Sequence, residues 1–303
     1  MELSAPPQAM ELPPGARRAF AVGASLAVGG LPVNEKRLRR SLRRRLEGKV
    51  VLVTGASRGI GLALARRVAA AGALTLLNAR SAETLAGLAA ELRASGGRAE
   101  PYAADLASAE GCEELLERLH ERDLQVDVLV NNAGRSIRRP IEQSCDRPGD
   151  CARTMDVNYF GAARLILGLL PGMRRAGEGH IVNVSSIGLQ ADMPRFSAYN
   201  ASKAAIDAFV RSLAPEVAPD GVRVSVAYLP LVRTAMSEPT RSFAVLPALT
   251  ADAAAARLCR VLVRRPPRTS SPVGALGELA GLVAAGGSRW FMRVTDAALE
   301  ERA

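Results

Sequence analysis

The chain has 303 residues, is 48% hydrophobic and 4% aromatic, and carries a formal net charge of +10. A chain of this length can bury one large core or two modest ones, so we expect a globular protein. Residues 1–49 hold 10 basic and 4 acidic residues, so more than half of the net charge lies there. The mildly basic remainder, with so few aromatic residues, argues against nucleic-acid binding.

The cysteines argue against a metal site. Cys112, Cys145, Cys151 and Cys259 have neither CxxC spacing nor histidines nearby. Neither a zinc site nor a disulfide framework fits this pattern. We therefore predict no bound metal, and reduced thiols in a cytoplasmic protein.

The amino-terminal segment differs from the rest, and we predict a disordered or linker-like basic extension over residues 1–47. Its apolar piece, AFAVGASLAVGGLPV, is shorter than the roughly 20 residues that a membrane-spanning helix needs. It resembles the apolar part of an export signal, but eight basic residues follow at positions 36–49 and no clear cleavage site is present. An extended linker or an upstream translation artefact is favoured. The basic run also allows peripheral membrane contact.

From Lys49 onward, short apolar runs alternate with amphipathic stretches of helical length. The predicted strands are KVVLV, ALTLLN, AEPYA, VDVLVN, GHIVNVS and VRVSVAY. The predicted helices lie in GIGLALARRVAAAG, AETLAGLAAELRASG, AEGCEELLERLHERD, GDCARTMDVNYFGAARLILGLLPGMRRAG and SAYNASKAAIDAFVRSLAPEVAPDG. This alternation predicts an α/β fold, a Rossmann doubly wound parallel sheet with helices on both faces, in a single domain. Ligands bind such sheets at the carboxyl ends of the strands.

We place this catalytic domain at residues 48–268 and a C-terminal helical extension at residues 269–303. The extension contains SPVGALGELAGLVAAGGSRWFMRV, which predicts an amphipathic helix. Such a helix could shield the site or touch a membrane, and it could equally be a core or dimer helix.

The first strand runs into a glycine-rich loop, VLVTGASRGIG, at residues 51–61. Gly55, Gly59 and Gly61 let the backbone turn tightly and approach a pyrophosphate, whose charge the N–H groups of the next helix can meet. The position between a strand and a helix makes this trio a stronger signal than glycines alone. We predict that Ser57, Arg58 and Ile60 of the loop also contact the cofactor.

The second strand ends in LLNAR, where NAD-specific sites place a carboxylate. Arg80 stands there instead, and together with Arg58 it can clamp a 2'-phosphate. We therefore predict NADPH in preference to NADH. The alternative is that both arginines are ordinary surface residues of an arginine-rich chain.

The motifs TGASRGIG, NNAG, VNVSS and YNASK, in this order, resemble those of the short-chain dehydrogenase/reductase family. The resemblance covers residues 48–235 and implies a Rossmann domain that transfers hydride between a nicotinamide and a carbonyl. The tetrad that it implies is Asn158, Ser186, Tyr199 and Lys203. The further cofactor contacts that it implies, besides the glycine loop and the last two tetrad members, are Asp105, Leu106, Asn132, Ala133, Gly134, Pro230, Val232 and Thr234.

The chain departs from the family at Pro230-Leu231, where Pro-Gly is usual, so the loop toward the nicotinamide is expected to differ in shape. The stretches NNAGRSIRRPIE, VNYFGAARLILGLLP, SSIGLQADMPRFSAY and LPLVRTAMSEPT narrow the resemblance. They look like the reductase domain of bacterial fatty acyl-CoA reductases, in which Pro-Leu-Val-Arg-Thr is common.

Reduction of a carbonyl needs a proton donor beside the developing oxyanion. Tyr199 can give that proton, and a nearby cation would lower its ordinary pKa of about 10. Lys203 follows at i+4 on a predicted helix, and it is one of 3 lysines among 40 basic residues, so a lysine here looks selected. Ser186 can hold the substrate oxygen, and Asn158 can tie Lys203 to a chain of waters. The alternatives are a surface Tyr-Lys pair, a helix cap at Ser186 and a structural amide at Asn158.

The substrate segments are expected in AMSEPTRSFAVLPALT and GLQADMPRFS, whose apolar residues fit an acyl chain or a similar ketone. A generic lid over the nicotinamide is the alternative. Three functions stay open: an NADPH-dependent reductase of long-chain acyl-CoA or fatty aldehyde, a reductase or dehydrogenase of a 3-oxoacyl or sterol-like compound, and a non-catalytic NADPH-binding regulatory protein. For the first, we expect the aldehyde as product. The resemblance also implies a dimer or tetramer formed through the two long helices.

Overall fold

The computed structural model describes residues 34–240, 243–244 and 246–283. Its central sheet has seven parallel strands in the order β3-β2-β1-β4-β5-β6-β9. Their bounds are β1 Val50–Thr54, β2 Leu74–Ala79, β3 Arg98–Ala103, β4 Val128–Asn131, β5 Gly179–Ser186, β6 Val222–Leu229 and β9 Arg268–Thr269. The short strands β7 Val232–Arg233 and β8 Leu249–Thr250 pair separately. The predicted doubly wound sheet is confirmed.

Helices connect the strands. Their bounds are α1 Glu35–Leu46, α2 Gly59–Ala70, α3 Ala82–Ala94, α4 Ala109–Glu121, α5 Ile141–Ser144, α6 Gly149–Met155, α7 Ala162–Ala176, α8 Ser197–Val217, α9 Ala251–Arg264 and α10 Pro272–Val283. A π-helical turn, Asp156–Gly161, joins α6 to α7, and a 3-10 turn, Ile187–Leu189, follows β5.

The strand residues alternate between two apolar clusters, one on each face of the sheet. In β1, Val51 and Val53 pack with residues of α1, α2, α3 and α9, whereas Leu52 packs with residues of α4, α7 and α8. Because successive side chains of a strand point to opposite faces, a continuous apolar run is what a strand covered on both sides requires. The sheet and its two helical layers therefore form one domain.

Helix α1 corrects the prediction of a linker-like segment over residues 1–47. Asn34 caps the helix, and its Oδ1 accepts a hydrogen bond from the Arg37 backbone N–H at 3.0 Å. Leu38, Leu42 and Leu46 recur at every fourth residue and are buried in the same cluster as β1. Basic residues surround these leucines in the sequence, so the segment has the composition of a charged linker. Burying each of them stabilises the fold by roughly 1.5–3 kcal/mol.

An arginine fastens α1 to the domain. Arg67 of α2 donates from Nη1 to Glu35 Oε2 at 2.9 Å and from Nη2 to Asp252 Oδ2 at 2.7 Å. Because Glu35 begins α1 and Asp252 lies in the first turn of α9, three helices meet at one guanidinium. The rest of the predicted extension, residues 1–33, with its apolar piece and the export-signal reading, lies outside the described residues.

Ion pairs hold the end of the sheet at which the parallel strands begin, which we call its amino-terminal edge. Lys49 Nζ donates to Asp127 Oδ1 at 3.1 Å and to Glu178 Oε2 at 2.9 Å, and Arg265 Nη2 donates to Glu178 Oε1 at 3.1 Å. The hydrogen bond to Glu178, above all, raises the pKa of Lys49. These charges join the residues just before β1, β4 and β5 to the end of α9.

Of the predicted C-terminal extension, the described part is β9 and α10, while residues 284–303 lie outside the described ranges. Across the residues that the structure describes, none of the helices combines the length and apolar character needed to span a membrane. No group of three His, Cys, Asp or Glu side chains in those residues could hold a metal ion.

Candidate active site

The glycine loop forms a cradle at the carboxyl ends of β1 and β4, where the strand order reverses. Gly55 has φ +65°, and a Cβ there would lie 2.9 Å from Ala133 Cα. At Gly61, a Cβ would lie 2.2 Å from the Gly55 carbonyl oxygen. Only glycine fits at either position, so the backbone of the loop and that of NNAG touch directly. Beside them, Ser57 and Ile60 are partly buried.

Thr54 fixes the NNAG segment against the loop, and the sequence analysis did not single it out. Its hydroxyl donates to the Val130 carbonyl at 3.2 Å and accepts from the backbone N–H groups of Asn132 and Ala133 at 3.0 and 2.9 Å. Asn132 Nδ2 donates back to the Thr54 carbonyl at 2.8 Å. A polar residue that ends a buried strand just before a glycine was the available signal.

Two arginines and an aspartate stand near this cradle. Arg58 precedes α2, Arg80 follows β2, and both side chains are exposed without an ion pair to any described residue. Asp105 follows β3, and its Oδ1 accepts from the Ala107 backbone N–H at 3.1 Å. The next residue, Leu106, is buried, and its carbonyl lies where a Cβ on Gly161 would be.

The segment after β6 folds back onto the glycine loop. Thr234 Cγ2 lies 3.2 Å from the position of a Cβ on Gly59. Pro230 and Val232 are buried before it. The described chain has four non-glycine residues with positive φ, and Leu231 is not one of them. This turn therefore does not use the backbone freedom of the glycine that is usual there, and Leu231 fits without strain.

Lys203 is buried on α8. It is 6% exposed, and its Nζ donates to the Val184 carbonyl at 2.9 Å. Burial lowers the pKa of this ammonium to about 8. A Cβ on Gly134 would lie 3.6 Å from Lys203 Nζ and 3.0 Å from Asn158 Oδ1, so both polar groups border the NNAG backbone.

Tyr199 lies one turn before Lys203 on α8. Burial raises the pKa of its phenol, and a hydrogen bond with Ser186 lowers it in part. This differs from the expectation of a pKa lowered by the lysine. Tyr199 is partly buried, and the Lys203 hydrogen bond goes to the Val184 carbonyl rather than to the phenol.

Ser186 ends β5. Its hydroxyl accepts from the Gly188 backbone N–H at 3.0 Å, which caps the 3-10 turn, and its influence lowers the pKa of Tyr199 in part. Ser186 therefore acts as a cap, as the alternative reading expected, and its role in the site stays a prediction.

Asn158 is buried in the π-helical turn. Its Oδ1 accepts from the Arg135 N–H at 2.8 Å, and its Nδ2 donates to the Arg135 carbonyl at 2.9 Å and to Ser202 Oγ at 2.8 Å. Ser202 Oγ donates in turn to the Tyr199 carbonyl at 2.7 Å. The amide thus joins the NNAG loop to α8, and the printed sequence gave no sign of Ser202 as the link. Single π-turns inside α-helices are frequent at functional sites.

The loop before α8 is strained and aromatic. Asp192 and Arg195 have φ of +46° and +64°, which side chains with a Cβ seldom adopt. The Phe196 ring lies 6.2 Å from the Tyr199 ring and stacks on the Phe243 ring at 5.8 Å, centroid to centroid. Three aromatic rings therefore pack in series from the segment after β7 to the tyrosine.

Comparison with known proteins gives the same picture. The family model for short chain dehydrogenases matches residues 49–244. A fatty acyl-CoA reductase of Acinetobacter baylyi is 45% identical over 249 residues, which are 82% of this chain and 84% of that protein. A Mycobacterium tuberculosis protein named a fatty acyl-CoA reductase is 41% identical over 81% of this chain and 83% of its own. A metagenomic short-chain oxidoreductase solved with NADP has a TM-score of 0.63 and 30% identity, covering 75% of this chain and 96% of that one.

The sheet, the glycine cradle at its switch point and these likenesses define an NAD(P)-dependent oxidoreductase with a Rossmann fold. The chain belongs to the short-chain dehydrogenase/reductase family. The resemblance found in its motifs is confirmed. The cradle fits a dinucleotide because side chains are sterically excluded at Gly55 and Gly61, beside the N-terminus of the 12-residue helix α2.

Proposed function

We propose that this enzyme uses NADPH to reduce the carbonyl of an apolar substrate, a long-chain acyl-CoA or a fatty aldehyde, with Tyr199 as the proton donor. The observation that carries the substrate class is the series of rings Phe243, Phe196 and Tyr199. It places apolar rings beside the phenol, where the reacting carbonyl would lie, and Phe243 at its outer end is partly exposed. The names of the two fatty acyl-CoA reductase relatives support the same class.

The electrostatics of Tyr199 and Lys203 favour the direction of reduction. A bound nicotinamide supplies hydride to the carbonyl carbon. The raised pKa of Tyr199 keeps its phenol protonated at neutral pH, so the proton is available for the carbonyl oxygen. With a pKa of about 8, Lys203 is mostly charged at neutral pH, and one helical turn from Tyr199 its cation would stabilise the phenolate formed during turnover.

The other two tetrad members position these groups. Ser186, which lowers the pKa of Tyr199 in part, would share the substrate oxygen with it. Asn158 would hold the NNAG loop and α8 at a fixed separation through Arg135 and Ser202. In this assignment the Asn158 side chain fixes geometry. Both N–H groups of its amide are already used in hydrogen bonds, so any proton resupply to Lys203 runs through other groups.

Arg58 and Arg80 carry the preference for NADPH. Two exposed guanidinium groups without ion-pair partners among the described residues flank the end of β2, where a carboxylate would select NADH. A 2'-phosphate would be bound by both. We assign the adenine to the neighbourhood of Asp105 and Leu106, and the nicotinamide to Pro230, Val232 and Thr234.

An acyl-CoA substrate would give an aldehyde. Hydride would add to the thioester carbon, the tetrahedral intermediate would expel the thiolate, and the thiolate would take up one proton to become the thiol. The products are the aldehyde, free coenzyme A and NADP⁺, which is a two-electron reduction.

The test is NADPH oxidation by the full chain with saturated acyl-CoAs, aldehydes and ketones of graded chain length. We expect rates to rise with chain length and an aldehyde to appear from acyl-CoA. Flat, low rates across the acyl-CoA and aldehyde series would refute this substrate class. Phe243→Ala should flatten the chain-length dependence, and Phe243→Leu, which keeps apolar volume, is its control.

We also propose that the enzyme is a homo-oligomer through α7 and α8. Phe160 and Leu167, on the π-turn and α7, are 43% and 54% exposed and give that face an apolar character. Light scattering on the wild type and on Leu167→Glu measures this. An unchanged molecular mass would count against the interface.

A further inference from the structure

Gln190 connects the loop after Ser186 to the C-terminal helix. It is 7% exposed and follows the 3-10 turn directly. Its Oε1 accepts from Ser270 Oγ at 2.7 Å, and its Nε2 donates to Glu278 Oε2 at 2.8 Å. We call Gln190, Ser270 and Glu278 the latch. The oxygen of this buried amide thus binds the segment just before α10, and its nitrogen binds α10 itself.

The latch is anchored to the sheet on its far side. Glu278 forms a short ion pair with Arg268, a residue of β9. Arg268 places its guanidinium 4.6 Å from the centre of the Tyr228 ring on β6. The position of Glu278 is therefore set by the outermost strand β9 as well as by its own helix.

The turn between Ser186 and Gln190 is short enough to transmit a displacement. The Gly188 N–H donates to Ser186 Oγ at 3.0 Å, and the Gln190 N–H donates to the Ile187 carbonyl at 2.9 Å. A shift of Gln190 would therefore disturb the hydrogen bond that orients the Ser186 hydroxyl, the group that lowers the pKa of Tyr199 in part.

Helix α10 faces the latch with two glycines, and only the first of them leaves no room for a side chain. A Cβ on Gly274 would lie 2.3 Å from Gln190 Oε1, 2.6 Å from Ser270 Oγ and 2.8 Å from Ile187 Cγ2. A Cβ on Gly277, on the same face, would lie 3.4 Å from the Gln190 carbonyl oxygen, an ordinary contact. The two glycines therefore differ in what a methyl group would disturb.

We propose that Gln190 is a positioning residue, through which the C-terminal helix α10 sets the orientation of Ser186 and so the rate of carbonyl reduction. The proposal rests on the role assigned to Ser186 above. It gives α10 a part in turnover, where the sequence analysis left shielding, membrane contact, core and dimer contact open.

The glycine pair provides a matched test. Gly274→Ala should lower kcat at least tenfold with a smaller change in KM, whereas Gly277→Ala should stay within twofold of the wild type. NADPH affinity, measured by fluorescence titration, should be unchanged in both, since the cradle lies at β1 and β4. Equal kcat values for the two variants would overturn the proposal.

A charge swap separates positioning from simple stabilisation. Gln190→Glu sets a carboxylate against Glu278 and should lower kcat. The double variant Gln190→Glu with Glu278→Gln rebuilds the amide and carboxylate pair in reverse, and should recover most of the loss. If the single variant lowers only the melting temperature and leaves kcat intact, the latch is structural and the proposal fails.

Amide hydrogen exchange over residues 187–196 tests the latch without turnover. Gly274→Ala should raise exchange there, and Gly277→Ala should not. If the wild type reduces no carbonyl, the proposed function falls while exchange still decides whether α10 holds the loop. Unchanged exchange in Gly274→Ala would refute the latch, whatever the activity.

Discussion

A lysine lies at each end of the parallel strands of the central sheet, and the surroundings shift the pKa values of the two lysines in opposite directions. At the amino-terminal edge, Lys49 bonds to two carboxylates, and its pKa is raised. At the carboxyl-terminal edge, Lys203 is buried, bonds to a backbone carbonyl, and has its pKa lowered to about 8. No carboxylate pairs with Lys203 among the residues that the structure describes.

The difference separates stability from function within one sheet. Charges that neutralise each other are typical of a structural edge. A buried cation without a counter-ion lowers stability, so its presence indicates that it has another use. Strongly perturbed pKa values cluster at functional sites for this reason. The same side chain type thus reports two roles, and substitutions can separate them.

The largest effect is expected at the tyrosine beside Lys203. Tyr199→Phe removes the proposed proton donor and should lower kcat by roughly 10²–10⁴-fold. Tyr159→Phe is the control, because that ring packs against Phe160 and Phe209 and its hydroxyl has no assigned role. Steady-state turnover at saturating NADPH measures both. A Tyr199→Phe enzyme with wild-type kcat would remove the assignment.

Lys203→Met should lower kcat by about 10²-fold or more and yet stabilise the fold. Moving the pKa from 10.5 to about 8 implies a cost for the buried ammonium at neutral pH. We expect the free energy of unfolding to rise by about 1–3 kcal/mol, part of the gain being offset by the lost bond to Val184. Urea denaturation without cofactor measures it. Lys203→Arg should impair turnover more than folding.

The pH dependence of that gain has a definite sign. Between about pH 8 and pH 10, the folded wild type has released the Lys203 proton while the unfolded chain still binds it, so the wild type gains stability with rising pH from this group. The advantage of Lys203→Met should therefore shrink across this window. A constant advantage from pH 7 to pH 10 would show that the ammonium is not the cause.

A third substitution tests the cofactor preference at the same edge. Arg80→Asp should shift the ratio of kcat/KM for NADPH over NADH by about 10–100-fold toward NADH, because a carboxylate binds the ribose hydroxyls and repels a 2'-phosphate. Arg223→Asp makes the same charge change at the second residue of β6, on the amino-terminal edge. An equal shift in both variants would reduce the effect to net charge.

The smallest effect is expected at Lys49. Lys49→Met breaks partly exposed ion pairs, and solvent screening limits their contribution, so we expect a loss of about 1 kcal/mol or less in the free energy of unfolding. Turnover should stay at the wild-type value, since the site lies at the opposite edge. A clear drop in kcat would end the separation of the two edges.

The sequence predicted those features that depend on neighbours along the chain. The glycine cradle, the first six strands and the i, i+4 pair of Tyr199 and Lys203 were visible in this way. Gln190 was not, because its partner Glu278 lies 88 residues away and nothing local marks a glutamine as buried. The π-turn at Asn158 also escaped, since it is an irregularity inside a helical pattern.

The pKa of Tyr199 and helix α1 show two further reasons for the gap. A motif gives the types of charge present but not their desolvation, and burial decides the sign for this phenol. In α1, the apolar stripe was present in the printed sequence, but basic residues outnumbered it.

Helix α1 has a practical consequence for anyone who shortens this protein. The family model begins at residue 49, which suggests a cut just before β1. Such a cut would remove Leu38, Leu42 and Leu46 and expose to water the apolar residues that they cover. It would also remove Glu35, the ion-pair partner of Arg67. A shortened version meant for crystallisation or screening should begin no later than Asn34, because the domain and its first helix share one core.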